Sequence, residues 1–321
     1  MFDVIIIGAG LSGLAAARTL AAQGRSVKVL DKGRGVGGRL ATRRIGDARL
    51  DHGAQFFTVR GESFGSLVEQ AVADGVVREW NRGFGDDGDG HPRYTGDEGM
   101  TSLAKWMATG LDVETSVRVE QLTSGPAGWA VEAEGGATFE GRAVLATAPV
   151  PQTRDLLAAS NVTLEAATDD VLAAISYHPV IGLLAVLDRP ATVHPSGGEQ
   201  LCEGVFSFVG DNQSKGISAV PAVTFHANHA WSANRFEDTD MAGVHADLLE
   251  HAKPWIRDAS VLESQLKKWR YAGPVTVRPE PALATDVDGN RLVLAGDAFA
   301  GPKVEGAFNS GLAAAEILSS D

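Results

Sequence analysis

The chain opens with Val4-Ile5-Ile6-Ile7-Gly8-Ala9-Gly10-Leu11-Ser12-Gly13, and this stretch decides the fold. Four consecutive apolar residues are typical of a parallel strand that is buried on both faces. The GxGxxG pattern leads into an Ala- and Leu-rich segment that ends near Gly24, a residue suited to the end of a helix. A second apolar strand over residues 27–30 then stops at Asp31. The sequence therefore predicts a βαβ unit at its start.

Each residue of the GxGxxG pattern has a physical role in holding a dinucleotide. Gly8 allows a tight turn, Gly10 lets a pyrophosphate approach the backbone N–H groups, and Gly13 permits close packing of helix on strand. The helix N-terminus adds a partial positive charge. Asp31 lies 18 residues after Gly13, where a carboxylate can accept hydrogen bonds from ribose hydroxyls and would repel a 2′-phosphate. The predicted ligand is FAD or NAD, and not NADP.

Two further segments favour FAD. Residues 32–44 (KGRGVGGRLATRR) offer glycine N–H groups and guanidinium donors for a diphosphate, with Arg39 as the candidate cation. Residues 291–298 (RLVLAGDA) indicate a short buried strand that stops at Gly296-Asp297, and a helix is predicted over 307–318. Asp297 can bind ribitol hydroxyls, and the helix can direct its positive end at the flavin edge that gains charge on reduction. Taken alone, the first segment would be a solvated basic loop and Asp297 an ordinary turn residue.

Composition and charge exclude several classes of protein. A chain of 321 residues is long for one core, so two domains are expected. The net charge of −13 argues against nucleic acid and against an anionic membrane surface as partners. The single Cys202 leaves no intramolecular disulfide and no CxxC pair. No apolar stretch approaches the ~20 residues that cross a bilayer, and no signal-peptide pattern is present, so a cytoplasmic protein is expected.

The motifs resemble the flavoprotein superfamily that includes amine oxidases, protoporphyrinogen oxidase, carotenoid desaturases and renalases. The nearest resemblance is to the bacterial branch of the renalase family. The blocks that carry it are residues 51–60 (DHGAQFFTVR), 226–232 (HANHAWS), 268–272 (KWRYA) and 304–307 (VEGA).

The resemblance implies an α/β protein of two discontinuous parts. A Rossmann-like FAD-binding domain would comprise residues 1–60, 96–165 and 275–321. An α+β substrate domain, built on a mainly antiparallel sheet, would comprise residues 61–95 and 166–274. Within the second part, residues 180–187 and 220–226 are predicted strands.

The resemblance also implies a reaction. Renalase-like enzymes oxidise isomeric dihydronicotinamide dinucleotides, pass the hydride to flavin N5 and then to dioxygen, and release NAD and hydrogen peroxide. Such a donor needs no strong base because its ring nitrogen drives hydride departure, and the sequence shows no catalytic triad or metal cluster. Amine oxidases commonly carry a lysine on an inner strand, and the corresponding residues 177–184 contain none, which weakens amine oxidation without excluding it. An oxidase or dehydrogenase of amines or another small reduced substrate, and a non-catalytic flavin-binding regulatory module, remain alternatives.

Two sets of candidate site residues follow. The substrate-pocket candidates are Gln55, Phe56, His226, Trp231, Trp269 and Tyr271. The candidates for contact with non-covalently bound FAD are Gly8, Ala9, Gly10, Leu11, Ser12, Gly13, Asp31, Lys32, Gly38, Arg39, Ala54, Gln55, Val119, Gly296, Asp297, Val304, Glu305, Gly306 and Ala307. Phe56 is equally compatible with a place in the core, and Trp231, Trp269 and Tyr271, taken singly, are more typical of packing residues. His226 and His229 are interpreted as pocket or surface groups and not as metal ligands.

Overall fold

The structure, a computed structural model, describes residues 1–85 and 88–320. Its strands are β1 (Phe2–Ile7), β2 (Val27–Asp31), β3 (Thr42–Ile45), β4 (Ala48–Asp51), β5 (Val77–Asn81), β6 (Arg93–Gly96), β7 (Val113–Thr115), β8 (Val119–Gly125), β9 (Gly128–Ala133), β10 (Thr138–Ala146), β11 (Tyr177–Leu187), β12 (Gly198–Gln200), β13 (Phe206–Asp211), β14 (Ala222–Ala227), β15 (Val261–Pro274), β16 (Leu283–Val287) and β17 (Asn290–Leu294). Its helices are α1 (Leu11–Ala22), α2 (Glu62–Ala73), α3 (Thr101–Ala108), α4 (Val150–Ala159), α5 (Ala166–Ala173), α6 (His229–Arg235), α7 (Met241–Ile256) and α8 (Val304–Ser319).

The N-terminal motif forms the centre of an eight-stranded sheet. Strands β17, β10, β1, β2 and β7 run parallel in that order, and β16, β9 and β8 extend the sheet with antiparallel pairs. The apolar side chains of β1 are buried, as expected of a central parallel strand. Helix α1 ends before Gly24, whose φ of +80° suits the residue after a helix C-terminus. The βαβ opening predicted from the sequence is therefore confirmed.

The second large sheet is antiparallel throughout, in the order β12-β13-β14-β11-β15. Its apolar face packs with α7 in a separate core cluster that includes Leu183, Phe225 and Leu248. The α/β class with a second, mainly antiparallel part is therefore confirmed. The assignment of residues 1–60, 96–165 and 275–321 to one domain and 61–95 and 166–274 to the other stays our proposal.

Strand and helix boundaries differ from the sequence expectation in two places that have a clear cause. β14 begins at Ala222 and not at residue 220, because Pro221 has no N–H to donate to a neighbouring strand. α8 begins at Val304, three residues before the predicted start. The glycines before it indicated a turn, but Gly306 belongs to the helix and lies so close to the Gly301 carbonyl that a Cβ would be 2.3 Å from its oxygen. Tertiary packing overrides the local preference here.

None of the helices in residues 1–85 and 88–320 combines the length and apolar character needed to cross a membrane. The same residues contain no group of three or more His, Cys, Asp or Glu side chains that could hold a metal ion.

Candidate functional site

A cavity of about 1860 Å³ lies at the carboxyl ends of β1, β2 and β10 and reaches the face of the second sheet. Its volume exceeds the ~300–1,000 Å³ of a drug-sized ligand site, so it has room for a dinucleotide together with a second molecule. The cavity therefore lies where ligands bind in open parallel sheets, at the strand ends.

Most of the residues predicted from the sequence line this cavity. They are Gly8, Gly10, Leu11, Ser12, Asp31, Lys32, Gly38, Arg39, Ala54, Val119, His226, Trp269, Tyr271, Gly296, Asp297, Val304 and Ala307.

Five predicted cofactor residues lie outside the cavity lining; four of them support its wall, and the fifth, Gln55, is also a substrate-pocket candidate. The N–H of Ala9 donates to Asp31 Oδ2 at 2.6 Å. Gly13 lets α1 approach the preceding turn, since a Cβ there would lie 2.0 Å from the Gly8 carbonyl oxygen. The Glu305 carboxylate accepts hydrogen bonds from the N–H groups of residues 60 and 61, which ties α8 to the start of α2. Gly306 packs on Gly301 as described above.

Three predicted substrate-pocket residues also lie outside the lining. Phe56 packs edge-on against Phe84, with ring centroids 5.0 Å apart, in a cluster of aromatic side chains. Trp231 packs against the core beneath the second sheet. Gln55 is buried behind the wall, where its Nε2 donates to the Asp51 carbonyl oxygen at 2.7 Å. These side chains support the cavity wall from behind. The two aromatic rings are stabilised there by packing, and the Gln55 amide by its hydrogen bond.

The glycine cradle meets the physical requirements of a dinucleotide phosphate. Gly8 has a φ of +113°, which glycine adopts readily, and a Cβ on Gly10 would meet nothing within 4 Å. Helix α1 begins without a side-chain cap and without an acidic residue in its first turn. The Ser12 hydroxyl is buried and has no hydrogen-bond partner within the described chain. Uncapped N–H groups and an unpartnered hydroxyl at one helix start fit a bound anion.

Asp31 stiffens the same cradle. Its Oδ2 accepts the Ala9 N–H at 2.6 Å and its Oδ1 accepts the Gly33 N–H at 2.6 Å. The carboxylate therefore joins the GxGxxG turn to the glycine-rich segment that follows β2. A carboxylate acceptor held in this way is oriented before any ribose hydroxyl arrives.

Arg39, which the sequence predicted to face a diphosphate, pairs with Asp297 in the cavity lining. The guanidinium pairs with both carboxylate oxygens, at 2.7 Å for Nη2–Oδ1, and also donates to the carbonyl oxygen of Tyr271 at 3.2 Å. Burial disfavours the charge on Arg39, but the attraction of Asp297 outweighs it and raises the pKa of Arg39. The Tyr177 hydroxyl donates to Asp297 at 3.3 Å. This cluster, here called the Arg39–Asp297 clamp, joins the N-terminal loop, the second sheet and the segment before α8.

His226 of β14 and Trp269 of β15 form a wall of the cavity together with His52, which follows β4. The rings of His52 and Trp269 stack at 5.3 Å, and Trp269 Nε1 donates to the His52 carbonyl oxygen at 2.7 Å. Burial lowers the pKa of His52 to about 3 and that of His226 to about 4, so both rings are neutral at pH 7. His52 Nδ1 is buried and has no partner among the described residues. The wall therefore offers flat surfaces and neutral hydrogen-bonding groups.

Lysines reach the cavity from β15, which was not predicted as a strand from the sequence. β11 contains none, as the sequence indicated, but Lys267 and Lys268 line the cavity from the neighbouring β15. The cavity lining therefore contains lysines although β11 has none.

The electrostatic character of the cavity is opposite to that of the whole protein. Twelve of its lining residues are Lys or Arg and five are Asp or Glu, in a chain whose net charge is −13. A concave surface lined by one sign of charge concentrates ligands of the other sign. The cavity is therefore suited to anionic ligands.

A buried ion pair behind the wall was also missed from the sequence. Lys215 and Asp51 have fully buried side chains, with Nζ–Oδ2 at 2.6 Å. Asp51 additionally accepts from Thr42 Oγ1 at 2.5 Å and from the Met100 N–H at 2.9 Å. Lys215 lies in a polar stretch that resembles a surface turn, so no local signal indicates its burial.

Comparisons with known proteins identify the family of the chain. Residues 6–71 match the model of the NAD(P)-binding Rossmann-like domain, and residues 75–319 match the model of flavin containing amine oxidoreductase. The putrescine oxidase of Kocuria rosea is 41% identical over 68 residues, which cover 21% of this chain and 14% of that protein. A putative flavin-containing monoamine oxidase of Mycobacterium tuberculosis is 46% identical over 54 residues, 17% of this chain and 12% of that protein. The matched segments thus span about a seventh or less of these curated relatives.

Solved structures extend the likeness in fold to the whole chain. A putative protoporphyrinogen oxidase from Exiguobacterium sp. 255-15 superimposes with a TM-score of 0.74 at 12% identity, covering 99% of both chains. A putrescine oxidase bound to putrescine gives a TM-score of 0.69 at 16% identity, covering 100% of this chain and 99% of that one. The second family model alone spans most of the sequence. The chain therefore belongs to the flavin-containing amine oxidoreductase family, whose cofactor is FAD.

Proposed function

We propose that this protein is a renalase-like oxidase, which oxidises isomeric dihydronicotinamide dinucleotides to NAD and passes the electrons through FAD to dioxygen, giving hydrogen peroxide. One observation carries the proposal: the substrate wall offers aromatic and neutral imidazole rings and no free carboxylate. Within the described chain, the lining acids are Asp31, Glu98, Glu120, Asp155 and Asp297, and none belongs to β11, β14 or β15. Asp297, the acid that lies beside Tyr177, is neutralised by Arg39.

The lack of a free acid at this wall distinguishes two substrate classes. An ammonium ion gains from a nearby carboxylate or from an aromatic face, whereas a dihydronicotinamide ring is flat and uncharged and its dinucleotide is anionic. Stacked aromatic side chains can hold the flat dihydronicotinamide ring. The surplus of lining Lys and Arg residues favours the anionic substrate and disfavours a cation.

Bound FAD would supply the hydride acceptor at N5. We assign the phosphates of FAD to the uncapped start of α1 with Ser12, its ribose to Asp31, and its ribitol end to the neighbourhood of Asp297. Val304 and Ala307, in the first turn of α8, would lie beside the flavin edge, where the positive end of the helix favours negative charge. Trp269 and His52 would orient the substrate ring and exclude water from it.

His52 and His226 are assigned a role in orientation and not in proton abstraction. Their low pKa values leave them neutral, and a dihydronicotinamide donor loses its hydride without transfer of a ring proton to the protein. The unpartnered Nδ1 of His52 is available to a carboxamide group. The expected cytoplasmic location belongs to this proposal and follows from the sequence pattern alone.

Oxidation of a small amine is the second candidate. It is favoured by the family itself, by the likeness in fold to putrescine oxidase, and by Lys267 in the cavity lining. In this alternative, Lys267 would be linked through a water molecule to flavin N5.

Anaerobic rapid mixing separates the two candidates. FAD-loaded protein is mixed with 2- and 6-dihydro isomers of NAD, with ordinary NADH, and with putrescine and benzylamine, and flavin absorbance is followed. We expect the isomers to bleach the flavin at least tenfold faster than any amine. Bleaching by an amine and not by the isomers would support the alternative and refute the proposal.

A further inference from the structure

Three cations lie together at one end of the cavity lining. They are Arg34 in the loop after β2, Arg43 on β3 and Lys267 on β15. Arg43 Nε donates to Gln265 Oε1 at 2.7 Å, which places it against β15 two residues from Lys267. Residues two apart on a strand share a face, so Arg43 lies on the side of β15 from which Lys267 projects.

These cations are not neutralised by the protein. Within the described chain, no carboxylate lies at ion-pair distance from Arg34, Arg43 or Lys267. Burial, followed by the positive charges of Arg43 and Arg34, lowers the pKa of Lys267. Like charges that face one cavity without a counter-ion destabilise the protein unless an anion arrives.

Position along β15 relates this cluster to the substrate wall. Lys267 and Trp269 lie on the same face of β15, opposite Gly182 and Val180 of β11. At about 3.4 Å per residue, their Cα atoms lie about 7 Å apart along the strand. A ribose links a nicotinamide ring to its 5′-phosphate over a similar span. A ring stacked at Trp269 would therefore bring its first phosphate to Lys267.

We propose that Arg34, Arg43 and Lys267 form the subsite for the diphosphate of the substrate, separate from the cradle of α1 that holds the diphosphate of FAD. The inference rests on the proposed function, because the proposed function identifies the substrate as a phosphorylated dihydronicotinamide. Guanidinium groups bind phosphate oxygens in pairs of hydrogen bonds, while the ammonium adds a point charge. The subsite selects the charged dinucleotide over the bare ring.

Equilibrium binding tests the subsite without turnover. FAD-loaded wild type, Lys267→Ala and Arg43→Ala are titrated with NAD, nicotinamide riboside and inorganic pyrophosphate, and flavin absorbance and heat are recorded. Each substitution is expected to weaken NAD and pyrophosphate binding about tenfold, which is about 1.4 kcal/mol, with a much smaller effect on the riboside. Lys253→Ala, which alters an exposed lysine on α7, serves as the control and leaves all three affinities unchanged. Lys267→Arg retains the charge and restores most of the NAD affinity.

Kinetics separates this role from that of a lysine near the flavin. With the dihydronicotinamide dinucleotide, Lys267→Ala should raise KM about tenfold and leave kcat within about twofold. A loss in kcat with little change in KM would assign Lys267 to the chemistry and overturn the subsite. Wild type that binds no pyrophosphate, or variants that weaken the riboside as much as NAD, would also overturn it. Pyrophosphate binding that depends on Lys267, in a protein that the isomers do not reduce, would retain an anion subsite and reject the proposed function.

Discussion

At the scale of single residues, the pair Asp51–Lys215 is expected to dominate stability. Lys215→Met removes the positive charge and leaves the fully buried Asp51 without its partner. Loss of one member of such a pair costs about 3–5 kcal/mol, because an uncompensated charge stays away from water. Urea unfolding of the FAD-loaded protein measures the change.

The control for this prediction is an exposed pair on α7. Lys253→Met removes the partner of Glu250, whose side chain is largely exposed, and should change the free energy of unfolding by less than about 1 kcal/mol. The double substitution Asp51→Asn with Lys215→Met should recover part of the loss, because it removes both charges. Equal unfolding midpoints for Lys215→Met and Lys253→Met would contradict the burial described for Lys215.

His226 gives a prediction for the pH dependence of stability. Burial lowers its pKa from 6.5 to about 4, so the unfolded chain binds a proton that the native state does not bind between these values. The contribution of His226 to the free energy of unfolding is present above pH 6.5 and is lost as the pH falls towards 4. Between pH 7 and pH 5 the loss amounts to about 2 kcal/mol.

His226→Gln should reduce the stability difference between pH 7 and pH 5 by about that amount, since glutamine does not titrate. Urea unfolding at the two pH values, with FAD saturating, measures it. His251→Gln, at an exposed position on α7, is the matched substitution and should leave the difference unchanged. If His226 takes up a proton near pH 6.5 in the native protein, His226→Gln will not change the stability difference between the two pH values, and the prediction will be wrong.

Most residues predicted for the cradle of α1 line the cavity together, whereas only half of those predicted for the substrate pocket do. Gly8, Gly10 and Asp31 belong to one local motif, in which spacing alone determines geometry. Trp231 was predicted to line the pocket and packs beneath the second sheet instead. Its environment is determined by contacts between distant segments, which no local pattern encodes. Lys267 was missed for the same reason, because the pairing of β15 with β11 brings it to the cavity. His52 was missed because its partner Trp269 is 217 residues away in the sequence.

At the scale of elements, the start of α1 makes a prediction about cofactor binding. A Cβ at Gly10 meets no protein atom within 4 Å and would project into the space assigned to the FAD phosphates. Gly10→Ala should therefore weaken FAD binding at least tenfold while changing the stability of the apoprotein by no more than about 1 kcal/mol. Fluorescence titration of apoprotein with FAD gives the affinity, and urea unfolding gives the stability.

Gly13→Ala, in the same helix turn, provides the contrast. Its Cβ would lie 2.0 Å from the Gly8 carbonyl oxygen, so the helix must move away from the strand. This variant should lose stability even without FAD. If Gly10→Ala binds FAD as wild type does, the phosphates do not lie where we assign them.

At the scale of the whole molecule, the Arg39–Asp297 clamp joins parts of the chain that belong to different sheets. Arg39→Met leaves Asp297 buried without its cation and removes the hydrogen bond to the Tyr271 carbonyl on β15. The end of β15 should then separate more readily from the parallel sheet. Hydrogen exchange should show at least tenfold faster exchange of amides in residues 271–273.

Amides of β12, at the far edge of the second sheet, serve as the internal reference and should exchange at the wild-type rate. Arg189→Met, at an exposed pair outside the cavity, should alter neither region. Uniformly faster exchange across both sheets would indicate global destabilisation and not the local role that we assign to the clamp.

The same clamp affects how the protein is synthesised. Arg39 and Asp297 are 258 residues apart in the sequence, so the ribosome must add a further 258 residues before Arg39 meets its counter-charge. Until then the guanidinium stays hydrated and the loop that carries it has no anchor on the C-terminal segment. Capture of the flavin by a nascent chain is therefore a late event, and a chain released before Asp297 cannot close the cavity around its cofactor.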